Sequence, residues 1–412
     1  MADHKDLPAE LWALVLSWLA RSKRAKGDLA CARAVCRRFM VLINGVGNLS
    51  SPIKRTVSLL AVPISDCLNS VSRAEWLLSH RPQEWWEKMF DKRLLAKAAG
   101  VGCLEVVKLL RGRGHRWDEF TCANAAEKGH LDVLKWLRDE TLHVSTCPWG
   151  RWTCTGAAQN GHLEVLQWLR SQNPPCPWNG WACSLAAQNG HLEVLQWLRA
   201  NDCPWHDWAC SFAAKNGHLE VLKWLRDTRT HGDLSCPWDT LTCAEAAENG
   251  HLEVLQWLRS HGDLSCPWDY RTCMFAAEKG HLDVLKWAHS NGCPWNEWTC
   301  AYAALNGDLE VLQWVRSLGD LSCPWDELTC SYAAKNGHLK VLQWARANGC
   351  PWDKRTCANA ASGGHLEVLK WLRDTRTHGD LSCPWNRAQC LQWAQENNHP
   401  AIVDWITAQE PD

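Results

Sequence analysis

Tyrosine and phenylalanine are scarce in this chain of 412 residues, at 3 and 5, and methionine stands at only 4. Charge of one sign is missing as well. Lys and Arg total 44 against 45 Asp and Glu, leaving a formal net charge of -1. That balance supplies no basic field, which argues against a protein that holds nucleic acid by neutralising phosphates. No apolar run approaches the roughly 18 residues of a membrane span, and Met1–Glu10 lacks the basic stretch and apolar run of a secretory leader. The motifs of phosphate loops, serine nucleophile elbows and zinc proteases are absent too, so no catalytic residue and no cofactor is expected. A hydrophobic content of 46% with 22% charged residues excludes wholesale disorder. What is present in excess is tryptophan, at 30, and cysteine, at 23. A general enrichment in aromatics would raise all three rings together, so multiplication of one Trp- and Cys-bearing unit explains the bias better.

The block G-H-L-E/D-V-L-K/Q-W recurs at intervals of 27 to 34 residues. Its His falls at His130, His162, His191, His218, His251, His281, His338, His365 and His399, with Cys103 and Asp308 standing in its place twice. A second block, C-P-W-D/N-x-x-T-C-x-x-A-A-x-N-G, precedes nearly every copy, as from Cys293 to Cys300. Extra residues enter only between the blocks, as at Asp227–Asp233, which marks a surface loop between rigid elements.

Each unit reads as two short helices. Asp or Asn after the Trp serves as N-cap of the first, whose Cys and paired Ala share a narrow apolar face. The Gly before the His ends that helix by taking a left-handed backbone. The second helix carries Leu, Val, Leu, Trp and Leu in one stripe, so Trp197, Trp224 and Trp314 are expected in the core. The recurring His, always between a stopping Gly and a new helix, is expected to cap that helix or bridge the loop rather than bind metal. Neither helix buries enough apolar surface alone, whereas stacked copies form a continuous core. The expected fold is all-α, a helical solenoid.

These residues resemble the ankyrin repeat. A-A-x-x-G-H-L-E-V-L and the hairpin-length loop after it carry the likeness from near Phe90 to the C-terminus. The chain departs from the family where Thr-Pro-Leu-His is usual, since x-Thr-Cys-x stands there, and several units are shorter than ~33 residues. The resemblance implies an array over residues 70–412 of about eleven or twelve units with degenerate caps at both ends. The first cap lies around Val71–Arg81 and the last contains Cys390. Short Trp- and Cys-rich units of this kind resemble those encoded by large DNA viruses of protists. In the family, first helices and loop tips line a concave surface. Rings of variable identity on that helix, two positions four residues apart, are therefore the expected anchors for a target protein. They are Trp152, Trp181, Trp208, Phe212, Phe275, Trp298, Tyr302 and Tyr332. The alternative for these rings is packing against the neighbouring unit.

Residues 1–48 share nothing with the repeat. Leu7-Pro8-Ala9-Glu10-Leu11, Val15-Leu16 and Leu19, then Asp28-Leu29 and Val35-Cys36-Arg37 with Phe39, resemble an F-box, although the connector from Leu19 to Asp28 is longer than usual. That resemblance implies docking on the Skp-type adaptor of a cullin-RING ubiquitin ligase through Leu7, Pro8, Leu11, Val15, Leu16, Leu29, Val35 and Cys36. Residues 49–69 are assigned to a linker, the stretch Asn44–Pro52 being rich in turn formers. The competing view of the N-terminal segment is a helical cap on the solenoid.

Within a unit the cysteines are spaced C-x6-C and followed by His, which matches no common zinc pattern. Buried packing thiols are expected and a metal site is not. An odd cysteine total with no leader suits a reducing compartment. The expected protein is a monomeric, intracellular, non-enzymatic adaptor that recruits a target protein for ubiquitylation. It would be cytoplasmic or nuclear, in a host cell if viral, with no nucleic-acid or membrane partner. A pure scaffold or sequestering protein is the competing function, and a ligase using Cys67, which stands outside the repeat, is a third.

Overall fold

Most first helices start where the sequence supplies a capping side chain. In the computed structural model, Asp239 Oδ1 accepts from the Leu241 N–H at 3.0 Å and Thr242 Oγ1 accepts from the Asp239 N–H at 3.3 Å. Helix Thr240–Glu248 follows. Asp269, Asn296, Asp326 and Asp353 accept a hydrogen bond at the start of their own first helices. Cys243, Ala246 and Ala247 share the buried face. Side chains this small let consecutive first helices pack on one another in order along the array. Gly250 then takes φ +74°, which ends the helix. The second helix, Leu252–Arg259, buries Val254, Leu255 and Leu258, each contributing about 1.5–3 kcal/mol by leaving water.

The structure describes residues 68–72, 74–75, 93–142, 145–227, 236–374 and 382–409. The expected F-box residues, Cys67, all but the last two residues of the linker over 49–69 and most of the expected first cap lie outside the described residues. Among those described, regular structure is entirely helical, and no helix is long and apolar enough to cross a membrane. They form two compact units, one taking in the described residues up to Ala125 with His130–Pro148, the other Ala126–Gly129 and everything described from Trp149 onward. The first unit pairs Leu94–Val101 with Leu104–Gly112 over buried Leu95, Ala98, Val107 and Leu110. The second is an all-helical solenoid. Its helix pairs repeat from Arg151–Gln159 with Leu163–Ser171 to Lys354–Gly363 with Leu366–Leu372, and Arg387–Glu396 with Pro400–Thr407 close it.

One expectation about the core is corrected. Trp197, Trp224 and Trp314 are half-buried at its edge, while the neighbouring Val, Leu and Leu fill it. Each indole meets edge-on the Trp of the Cys-Pro-Trp turn that opens its own unit. The centroids are 5.8 Å apart for Trp178–Trp197, 6.0 Å for Trp205–Trp224 and 5.9 Å for Trp295–Trp314. A core layered with Ala and Cys leaves little room for an indole, and the amphipathic ring suits a half-wet edge. An arginine from the preceding unit completes the joint. Arg259 lies 4.1 Å from the Trp268 ring and donates to the Cys266 carbonyl at 2.6 Å. Arg170, Arg316 and Arg346 repeat the arrangement on Trp178, Trp325 and Trp352. At one joint His289 replaces the arginine and stacks on Trp295 at 3.7 Å.

The recurring histidine bridges and does not cap. His251 makes no side-chain bond to the start of its own helix. Its Nε2 faces the Lys215 carbonyl of the preceding unit at 3.0 Å, and since a carbonyl only accepts, the imidazole donates. His338 and His399 reach back to the carbonyls of Leu305 and Ser362 at the same distance of 3.0 Å. Asp308, the replacement, does cap, with Oδ1 accepting from Val311 N–H at 3.0 Å.

Candidate protein-binding surface

In several units the side chain that caps the first helix also fixes the residue two positions later. Asn179 Oδ1 accepts from the backbone N–H of Trp181 at 3.2 Å, and Asn296 Oδ1 from that of Trp298 at 3.2 Å. His206 takes the same place one unit after Asn179, with Nδ1 accepting from Trp208 N–H at 3.4 Å. These rings therefore project from equivalent points of their helices, off the Cys and Ala face.

Two groups of them come together. Trp181 meets Trp208 at 5.6 Å and Phe212 at 6.3 Å, and Trp208 meets Phe212 at 5.9 Å. His206 lies against Trp181 at 4.5 Å. In the other group Trp298, Tyr302 and Tyr332 sit 6.1 to 6.4 Å from one another. Both clusters span consecutive units, so the rings pack across the unit boundary and still reach the surface. Trp208 keeps 47% of its area exposed, whereas Trp181, Phe212, Trp298, Tyr302 and Tyr332 are half-buried. Burial, with Tyr332 and Glu278 nearby, pushes the Tyr302 hydroxyl above its ordinary range.

Trp152 and Phe275 stand outside both clusters. Trp152 is 46% exposed beneath the Arg151 guanidinium, 5.5 Å from its centroid. Phe275 is half-buried. Polar contacts also run between the first helices from the first cluster onward. Lys215 pairs with Glu245 at 2.9 Å, and Arg271 donates to Asp269 Oδ2 at 2.7 Å and to Thr240 Oγ1 at 2.6 Å. Sequence reasoning missed His206, although a His standing where other units have Asp or Asn was the signal. It also missed Gly180. A Cβ there would lie 2.8 Å from the Trp205 carbonyl oxygen, so only glycine lets the next Cys-Pro-Trp turn approach.

Elsewhere, an open groove of about 530 Å³ lies between second helices, lined by Trp224, Trp238, Trp257, Leu264, Glu220 and Asp227. The described cysteines are all free thiols, nearly all buried, and no three metal-binding side chains among the described residues stand close enough to share an ion. The ring clusters offer partly exposed rings on a rigid scaffold, which is what capture of another protein requires.

Comparison with curated proteins finds no match. Family models do match. Ankyrin repeats (3 copies) covers residues 183–266, and Ankyrin repeats (many copies) covers 273–316 and 330–373. Those segments of the solenoid are ankyrin repeats.

Proposed function

We propose that this protein is a non-enzymatic adaptor that holds a target protein on its repeat surface and presents it through residues 1–48 to a Skp-type adaptor of a cullin-RING ubiquitin ligase. Ankyrin repeats are protein-interaction scaffolds, each unit adding surface without adding a cavity for chemistry. The observation that carries the target-binding half is the Trp181, His206, Trp208 and Phe212 cluster, whose most exposed ring is supported from three sides. A large ring held in place loses little entropy on binding and makes a strong anchor. The support for the ligase half is the run from Leu7 to Phe39, with Leu7, Pro8, Leu11, Val15, Leu16, Leu29, Val35 and Cys36 as the docking residues.

The full chain, mixed with a purified Skp adaptor and passed through a sizing column, tests that half directly. Co-elution that is lost when Leu7 and Pro8 are replaced by Ala supports the adaptor reading. Failure of the intact chain to bind any eukaryotic Skp adaptor leaves a target-sequestering scaffold as the function.

A further inference from the structure

The cysteines of the repeat meet in pairs that join consecutive units. Cys243 lies in helix Thr240–Glu248, four residues after Asp239, which caps that helix. Cys266, in the Cys-Pro-Trp turn of the next unit, donates its thiol to the Asp239 carbonyl at 3.2 Å, and Cys243 donates to the Cys266 carbonyl at 3.8 Å. Residues four apart on a helix share one face, so both thiols sit over the same helical turn. Both are fully buried.

The geometry repeats along the solenoid. Cys323 donates to the Asn296 carbonyl at 3.2 Å while Cys300 donates to the Cys323 carbonyl at 3.8 Å. Cys383 and Cys357 do the same over Asp353, at 3.4 and 3.9 Å. Cys176 and Cys154 do so over Gly150, at 3.6 and 3.8 Å. Filling space needs one small apolar side chain at each place; two sulfurs brought together in unit after unit are a chemical arrangement. The close partner sulfur, Cys266 or Cys323, and then burial also hold Cys243 and Cys300 well above the ordinary thiol range, which keeps them protonated and slow to react while the units stay closed.

We propose that each inter-unit cysteine pair is a modification site, a latent dithiol that a small-molecule disulfide converts to a disulfide bond locking neighbouring repeats together. The chemistry needs local opening of a unit, which a solenoid undergoes piece by piece. One protein thiolate attacks a sulfur of the reagent R–S–S–R and expels R–S⁻. The second attacks the protein sulfur of that mixed disulfide and expels the other R–S⁻. Two protein S–H bonds are lost and one S–S bond forms. The two protons and two electrons leave as two R–SH. The new bond between Cys243 and Cys266 closes a loop around helix Leu252–Arg259 and pins the entry of the next unit.

Incubating the full chain with oxidised glutathione under native conditions, alkylating, digesting without reductant and mapping the peptides tests the proposal. Peptides linking Cys243 to Cys266, Cys300 to Cys323 and Cys357 to Cys383 are expected. Half-buried Cys103 gives a mixed disulfide with glutathione instead. In Cys266→Ser the Cys243 cross-link is lost while the other pairs still form, and Cys243→Ala frees Cys266 in the same way if the serine variant fails to fold. Links between cysteines of different pairs overturn the proposal. So do mixed disulfides in place of links, and so does the absence of any link when mild urea opens the units.

Discussion

The imidazole of His251 lies against the backbone of Gly217 in the preceding unit. A Cβ on Gly217 would come within 2.8 Å of both Cε1 and Nδ1 of that ring. The same glycine takes φ +74°, and the His251 ring donates to the carbonyl of Lys215 two residues before it. One position thus meets two demands, a left-handed backbone and a bare surface for the ring above it. Gly280 faces the Asp308 carboxylate in the same role, which is why replacement of His by Asp308 leaves the glycine unchanged.

Gly217→Ala should therefore lose more than the backbone strain of about 1–2 kcal/mol. Gly292→Ala provides the reference, since φ there is +82° but nothing lies within 4 Å of an added Cβ. Adding His251→Ala to Gly217→Ala removes the obstructing ring and should recover part of the difference. Urea denaturation of the three variants measures it. Equal losses for Gly217→Ala and Gly292→Ala would show that the ring contact contributes nothing.

The arginine at each joint gives a second expectation. Arg259 stacks on Trp268 and donates to the Cys266 carbonyl at once. Lysine cannot do both, being a point charge without a planar fork. Arg259→Lys should cost about 2 kcal/mol, the scale of one charge-assisted hydrogen bond with a cation–π contact. At the exceptional joint the direction reverses: His289→Arg should raise the melting temperature by restoring the bond to the Cys293 carbonyl. A melting temperature lowered by His289→Arg would mean that the stacking of His289 on Trp295 is the better joint.

Much of this fold was legible because its signals are local. The cap at Asp239, the Cys and Ala face and the stop at Gly250 each lie within one unit and rest on spacing alone. The joints were not legible, because their partners lie across a unit boundary. His251 serves the carbonyl of Lys215, and Arg259 serves a turn beyond the loop. Trp224 was misplaced for a related reason. Helical periodicity assigns it to the apolar stripe, but only the narrow, Ala-lined packing of the array shows that the stripe is full without it. The ring clusters were half legible: periodicity gave Trp181 and Trp208 one face, and the structure added His206 between them.

Stability should fall in mild acid. Burial, and then the neighbouring His162 and His218, hold His191 below the ordinary imidazole range against the pull of the Gln159 carbonyl. Burial, with His338 and His399, does the same to His365 against the Lys335 carbonyl. A histidine with a depressed folded pKa binds its proton more readily when unfolded. Its stabilisation is complete above the unfolded value of about 6.5 and is lost as pH falls through the lower, folded value. The urea midpoint should drop across that window, and the drop should shrink in His191→Asn combined with His365→Asn. A slope unchanged by the double variant would remove these two residues from the account.

Truncation of the surface rings should separate binding from stability. Trp208 is 47% exposed and touches Trp181, His206 and Phe212. Trp208→Ala should therefore cost stability only on the scale of an aromatic pair, about 1 kcal/mol. Its effect on affinity for a captured target should be larger, roughly 2 kcal/mol or more, the scale of a central hot spot. Leu255→Ala supplies the opposite case, a fully buried side chain whose loss costs about 2–5 kcal/mol of stability and reaches binding only through unfolding. Trp298 falls between them, because Tyr302 and Tyr332 already cover it in part. Plotting the change in affinity against the change in urea midpoint places each variant. If Trp208→Ala falls on the Leu255→Ala line, its ring joins repeats together and the target binds elsewhere.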